Sequence, residues 1–140
     1  MLHYGTPAPA EYRLFKIKTI EGINDVAMLA EVLNRRLKHS EWPLPDLWTV
    51  DGGLPQRSIA LITLKAAGLR RPAVIGIAKG SARKLAAAIS SPTANELIHH
   101  HGIKPDELEH VLRRARDEAH RFAITFHRKR RSRRLFNANI

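Results

Sequence analysis

The chain has 140 residues, 44% of them hydrophobic, which suits one domain with a core and leaves little room for a second fold. Its 24 Lys and Arg outnumber 13 Asp and Glu, giving a formal charge of +11, and it has no cysteine. These counts exclude a disulfide scaffold, a thiolate zinc site and a cysteine nucleophile, and they point to a polyanionic partner.

Leu2-His3-Tyr4, followed by Gly5-Thr6-Pro7-Ala8-Pro9, reads as the end of a strand and its turn. Residues 11–19 are expected to form a half-buried strand, because Phe15 and Ile17 alternate with Lys16 and Lys18. Asn24 or Asp25 can cap a helix whose apolar positions are Val26, Leu29, Ala30, Val32, Leu33 and Leu37. After Pro43 and Pro45, residues 47–50 form a short apolar strand that Asp51-Gly52-Gly53 stops. A second helix carries Ile59, Leu61, Ile62, Leu64 and Ala66, with Gly68 as its terminal glycine. Residues 73–78 read as a buried strand, so strand, helix and strand make a βαβ unit with parallel neighbours.

A short helix is expected over residues 83–89, then a polar break at residues 90–93. Pro105-Asp106-Glu107 opens the last helix, with two acids at its positive end. Leu108, Val111, Leu112, Ala115, Ala119, Phe122, Ala123 and Phe126 form its apolar stripe. Between Arg113 and Arg134 stand nine Arg and one Lys against Asp117 and Glu118, most of the chain's positive charge. Such a surface suits phosphate backbones; the plain alternative is a solvated helix end with a basic tail. No apolar run approaches a membrane span and no signal pattern opens the chain, so a cytoplasmic protein without membrane contact is expected.

Asp51 lies at the C-terminal end of a buried parallel strand, where α/β sheets hold their ligands. A turn aspartate that caps the next helix is the alternative. His120 sits at the margin of the apolar stripe, suited to a divalent metal, to general-base work, or simply to packing. Asp117 and Glu118 suit surface ion pairs, and His127 suits a phosphate contact. His99-His100-His101 reads as a solvated helix end, since consecutive side chains diverge too much to chelate. Trp42 can stack on bases, Trp48 belongs to the core, and Lys79 at a strand end can meet phosphate.

Four segments occur in an order that resembles a known family: residues 12–19, Val50-Asp51-Gly52-Gly53 with Gln56, residues 74–80, and residues 116–128. The chain is similar, from about Met1 to Ser132, to the C-terminal endonuclease region of the UvrC family of bacterial nucleotide excision repair. The resemblance implies an RNase H-like α/β fold, a mixed sheet with flanking helices, and metal-dependent incision of DNA on the 5′ side of a lesion. It makes Asp51 and His120 the matching catalytic and metal-binding positions, with Mg²⁺ or Mn²⁺ as cofactor. The family's other aspartate lies on a first strand upstream of Leu2, so that strand is expected to be lacking here and the metal site to be weak. Asp25 matches a different acidic position, and Leu54-Pro55 replaces a more usual small or basic pair.

The expected DNA contacts are Arg113, Arg116, Arg121, His127, Arg128, Lys129, Arg130 and Arg131, with UvrB as a candidate partner. The layout is a UvrC-type domain over residues 1–132 and a basic tail over residues 133–140. Two alternatives stand beside the nuclease: a catalytically inactive DNA-binding remnant of the same domain, and a basic RNA-binding protein that leaves the matched segments unexplained.

Overall fold

The computed structural model describes residues 1–78 and 88–138. In chain order the elements are β1 (Leu2–His3), β2 (Thr6–Pro7), α1 (Asp25–Leu37), β3 (Trp48–Asp51), α2 (Leu54–Ala66), β4 (Val74–Ile77), β5 (Ala88–Ser90), α3 (Pro92–His100) and α4 (Pro105–Ala138). They fall into two compact units, Arg13–Glu109 and Met1–Tyr12 with His110–Ile140.

The larger unit is built on a mixed sheet in the order β3-β4-β5, with β3 and β4 parallel and β4 and β5 antiparallel. The parallel pair joined through α2 is the βαβ unit expected from the sequence. Val50, Val74, Leu33, Ala60 and Leu64 form the buried core, with Leu29, Leu37, Trp48, Leu61 and Leu69 packed against it. Trp48 therefore belongs to the core, as its strand position implied.

Local chemistry explains where the helices start and stop. Asn24 caps α1 by accepting from the Ala27 N–H at 3.0 Å. At the end of α2, Gly68 takes φ +97°, its N–H reaches the Lys65 carbonyl, and the Leu69 N–H reaches Leu64. This is the paired bonding of a Schellman cap, which needs the left-handed conformation glycine adopts without strain. Ser91 caps α3 and also closes the sheet: its buried Oγ accepts from Ala94 N–H at 3.2 Å and from Val74 N–H at 3.0 Å.

Two sequence expectations are corrected here. Residues 11–19 are not in a strand, although Phe15 and Ile17 are half-buried and Lys16 and Lys18 exposed, in the alternation that suggests one. The segment is extended, but its backbone is satisfied by side chains of α1 rather than by a neighbouring strand. Glu31 accepts from the Lys18 N–H at 2.9 Å, the Thr19 N–H at 3.0 Å and the Thr19 hydroxyl at 2.6 Å, and Arg35 donates to the Lys16 carbonyl. These bonds, the Thr19 hydroxyl first, hold the Glu31 carboxyl down at about 2. The second correction concerns the helix expected over residues 83–89. Residues 88 and 89 belong to β5, where Ile89 pairs with Gly76, and residues 83–87 lie outside the described residues, as does Lys79. A short apolar run has no length by which its period can be judged.

In the smaller unit β1 and β2 form a minimal antiparallel hairpin. Its two-residue turn, Tyr4-Gly5, has φ of 50° and 76°, the paired positive values of a tight hairpin turn. The long helix α4 starts within the larger unit, where Glu107 reaches back to accept from the Lys104 N–H at 3.0 Å. It runs through Ala138, so the backbone of residues 133–138 is helical too. Leu112 is buried and most of the expected stripe is half-buried, but Ala119 is exposed.

Candidate active site and nucleic-acid face

Asp51 is the last residue of β3 and is exposed. Its carboxylate has no hydrogen-bond or ion-pair partner among the described residues. The backbone that follows is fixed by close packing. The Gly52 N–H bonds to the Ile77 carbonyl at 2.9 Å, prolonging the parallel ladder past Asp51. A side chain on Gly76, in the adjacent strand, would put its Cβ 2.8 Å from the Gly52 carbonyl oxygen and 3.0 Å from that of Gly53. Gly52 itself takes φ +148° with Gln56 lying over it, so a Cβ there would fall 2.4 Å from Gln56 Cγ. The glycines let the chain turn sharply from β3 into α2 and leave the Asp51 carboxylate at the strand end. Asp51 is not the cap of α2: Gly53 holds that position and no side chain caps it.

His120 lies on α4 and is exposed, with no hydrogen-bonded partner among the described residues. At about 100° per residue, Arg113, Arg116, His127 and Arg131 stand within about 40° of His120 around the helix axis. All of these side chains reach solvent, Arg116 with 40% of its side chain exposed and 3.5 Å from Asp117. Of the other expected DNA contacts, Arg121 and Arg128 point about 80–100° away and Lys129 about opposite. The side chain of Arg130 lies outside the described residues.

Arg121 is committed elsewhere. Its Nε donates to Glu118 Oε2 at 2.9 Å and its Nη2 to Oε1 at 2.6 Å, a two-pronged ion pair. Tyr12 adds a third donor, its hydroxyl reaching Glu118 Oε1 at 2.8 Å. The Arg121 and Tyr12 bonds hold the Glu118 carboxyl down at about 2, and burial with the Glu118 bond pushes the Tyr12 phenol up to about 12. The ion-pair reading of Asp117 and Glu118 is thus what the structure has; the part of Tyr12 was not legible from spacing.

The remaining candidates take structural places. The three histidines at residues 99–101 end α3 and are exposed. Trp42 is stacked on His39 at 3.8 Å, with Arg13 and Arg36 within about 5 Å of its ring centroid and Phe15 edge-on. Its ring is engaged by protein rather than presented for a base.

Residues 1–124 match the family described as the UvrC RNase H endonuclease domain. The chain belongs to that family. It is similar to the UvrABC system protein C of Bdellovibrio bacteriovorus, 41% identical over 91% of this chain and 21% of that protein. The corresponding proteins of Pelodictyon phaeoclathratiforme and Desulforapulum autotrophicum are 42% and 44% identical over 97% and 93% of the chain. The match takes in 21% and 22% of those two proteins, so this UvrC-type chain spans about a fifth of the length of these relatives.

Nucleases of this family depend on a metal ion. Within each unit, no three His, Asp or Glu side chains among the described residues gather into a cage. The donor chemistry nevertheless suits a hard divalent ion, because Asp51 offers a carboxylate and His120 an imidazole, each without a partner among the described residues. Mg²⁺ is commonly held by one or two carboxylates, with water and substrate phosphate completing its shell. No helix among the described residues is long and apolar enough to cross a membrane.

Proposed function

We propose that this UvrC-type domain cleaves a phosphodiester bond of damaged DNA, 5′ to the lesion, within a cytoplasmic excision-repair assembly that includes UvrB. The observation that carries this reading is the shared face of α4. His120 stands among Arg113, Arg116, His127 and Arg131, so a strand held by its phosphates on that face runs past the imidazole.

The roles follow from chemistry. Arg113, Arg116 and Arg131 neutralise and position phosphates without reading bases. Asp51 and His120 would hold Mg²⁺ or Mn²⁺, which when bound polarises a phosphoryl oxygen and lowers the pKa of water. Neutral His120 can alternatively accept the proton of the attacking water at its free ring nitrogen. Asp51 then supplies the fixed negative charge and depends on the Gly52-Gly53 turn for its place.

The test is an exchange of residues 1–140 for the corresponding segment of the Bdellovibrio protein, assayed on lesion-bearing DNA with UvrB and Mg²⁺ or Mn²⁺. Incision is expected, and Asp51→Asn and His120→Ala should each lower it by at least about 10²-fold, as loss of groups that act in the reaction commonly does. DNA affinity should stay within a few-fold. Near-full incision by Asp51→Asn would sink the assignment, and binding without incision by the unsubstituted exchange would favour the inactive remnant.

DNA binding by the chain itself supplies a second measurement. If about four cations engage phosphate, log affinity should fall against log salt with a slope near −4. Replacing Arg113, Arg116 and Arg131 by Glu should flatten that slope, whereas the same replacement at Lys65, Arg70 and Lys104 should leave it nearly unchanged.

A further inference from the structure

The hairpin of the smaller unit departs from the rule by which such turns are filled. Two-residue turns with positive φ at both positions are normally Asn-Gly or Asp-Gly, because a bulky side chain rarely takes that conformation. Gly5 fits, at φ 76°, but the residue before it is Tyr4, at φ 50°. The Tyr4 side chain gains no contact in return. Its relative exposure is 107%, and neither ring nor hydroxyl has a partner among the described residues. The chain's other tyrosine shows the ordinary arrangement: Tyr12 sets its ring edge-on against Phe122 at 5.0 Å and donates its hydroxyl to Glu118 at 2.8 Å. A residue that opposes its local backbone without a contact to offset it points to a use outside the folded chain.

The tip that carries Tyr4 is fastened, and it is fastened by a cation. Leu2 pairs with Pro7 and His3 with Thr6, and the Ala8 N–H closes the hairpin on the Met1 carbonyl at 3.1 Å. Underneath, a Cβ on Gly5 would lie 3.7 Å from a Val111 methyl carbon of α4, and Arg114 Nη1 donates to the Gly5 carbonyl at 2.8 Å. That bond uses one N–H of an exposed guanidinium, which keeps its charge and further donors. Arg113 precedes Arg114 on the helix and opens the basic face about 100° round the axis. A strand that leaves this face on the Arg114 side runs onto the hairpin tip.

We propose that Tyr4 and Arg114 form a site for one unpaired nucleotide of DNA, with the base stacked on the phenol ring and a phosphate held by the guanidinium. Sites for single strands combine an aromatic face with a cation, and stacking accepts every base because each has a flat face. A paired base inside a duplex presents only its edges in the grooves. The site therefore takes DNA whose strands are locally parted and passes over intact duplex. This rests on the reading of α4 as the DNA face given above, and it adds the form of DNA that is preferred.

The test uses the full chain with its tyrosines labelled for NMR, which gives separate ring signals for Tyr4 and Tyr12. Three probes are titrated: an oligothymidylate of about ten nucleotides, an abasic strand of the same length and a blunt duplex. With oligothymidylate the Tyr4 ring protons should move upfield as a base stacks, while Tyr12 stays in place. With the abasic strand and the duplex, which the arginines still bind, Tyr4 should stay in place too. Tyr4→Ala should weaken oligothymidylate binding about 10-fold and leave duplex binding within about twofold. Tyr4→Asn should weaken it equally while raising the urea midpoint, because Asn suits the turn, which separates the loss from folding. Arg114→Ala should reduce the slope of log affinity against log salt for the single strand by about 0.7, the share of one phosphate. Stationary Tyr4 signals with oligothymidylate bound, or unchanged affinity in Tyr4→Ala and Tyr4→Asn, would overturn the nucleotide site and leave the DNA face standing. Absence of binding to all three probes would overturn both.

Discussion

The two candidate site residues are held in opposite ways. Asp51 ends a strand whose neighbours are backbone: the Ile77 carbonyl bonds the next N–H, and the Gly52 and Gly53 carbonyls cross closely over Gly76. His120 stands on a helix whose contacts are made by side chains, the Tyr12 hydroxyl and the Arg121 fork meeting on Glu118. A backbone-built position leaves no tolerance for an added atom, because what it meets cannot swing aside. A position built from side chains yields by degrees, one hydrogen bond at a time. Substitutions at the turn after Asp51 should therefore cost much stability at once, and substitutions around Glu118 only a part of it each.

The largest stability effect is expected from Gly76→Ala. Its methyl group lands on two carbonyl oxygens and 3.3 Å from Arg57 Cβ. A loss of about 3 kcal/mol, the upper part of the overpacking range, should appear in urea unfolding, with incision lost alongside. A change under about 1 kcal/mol would mean that the turn after Asp51 shifts freely, and the contrast with His120 would collapse. Ser91→Ala should come next, at about 2 kcal/mol, since it removes a helix cap and leaves the buried Val74 N–H without its acceptor. Ser91→Thr keeps the hydroxyl, so partial recovery there would assign the loss to the hydrogen bonds.

The smallest effect concerns the extended segment on α1. Its Glu31 carboxyl titrates at about 2, below the ordinary 4.5. A lowered carboxylate pKa stabilises the folded state above the ordinary value, and that contribution is lost as pH falls from about 4.5 towards 2. Amide exchange at Lys18 and Thr19 should accelerate across that window, and Glu31→Gln should remove the acid sensitivity. Unchanged exchange at these two amides would show that the segment is held by its apolar side chains instead.

These same contacts explain what the sequence could and could not convey. The βαβ unit, the Asn24 cap and the Gly68 terminus depend on neighbours a few residues apart, and short-range patterns report them faithfully. The place of Asp51 at the end of β3 is legible too, because the double glycine after it marks where the strand stops. The alternation at Phe15 and Ile17 described burial correctly and bonding wrongly, since Glu31 and Arg35 occupy the groups a second strand would have taken. A count of cations puts Arg121 among the phosphate contacts and does not reveal that it also faces a carboxylate. Its pairing with Glu118 fits a helix spacing of three, but the Tyr12 hydroxyl that completes the cluster is separated by more than a hundred positions, and no local pattern encodes it.

The basic face of α4 also has a length. From Arg113 to Arg131 the helix rises about 27 Å, which spans about eight base steps at 3.4 Å each. His120 falls inside that interval, about 6 Å past Arg116 and about 10 Å before His127. On the proposed reading, cations spaced along the helix would act as a ruler laid against the strand. A bond placed at His120 would then be flanked by held phosphates on both sides, so the cut would be measured from the middle of the gripped stretch and would need an intact backbone in both directions.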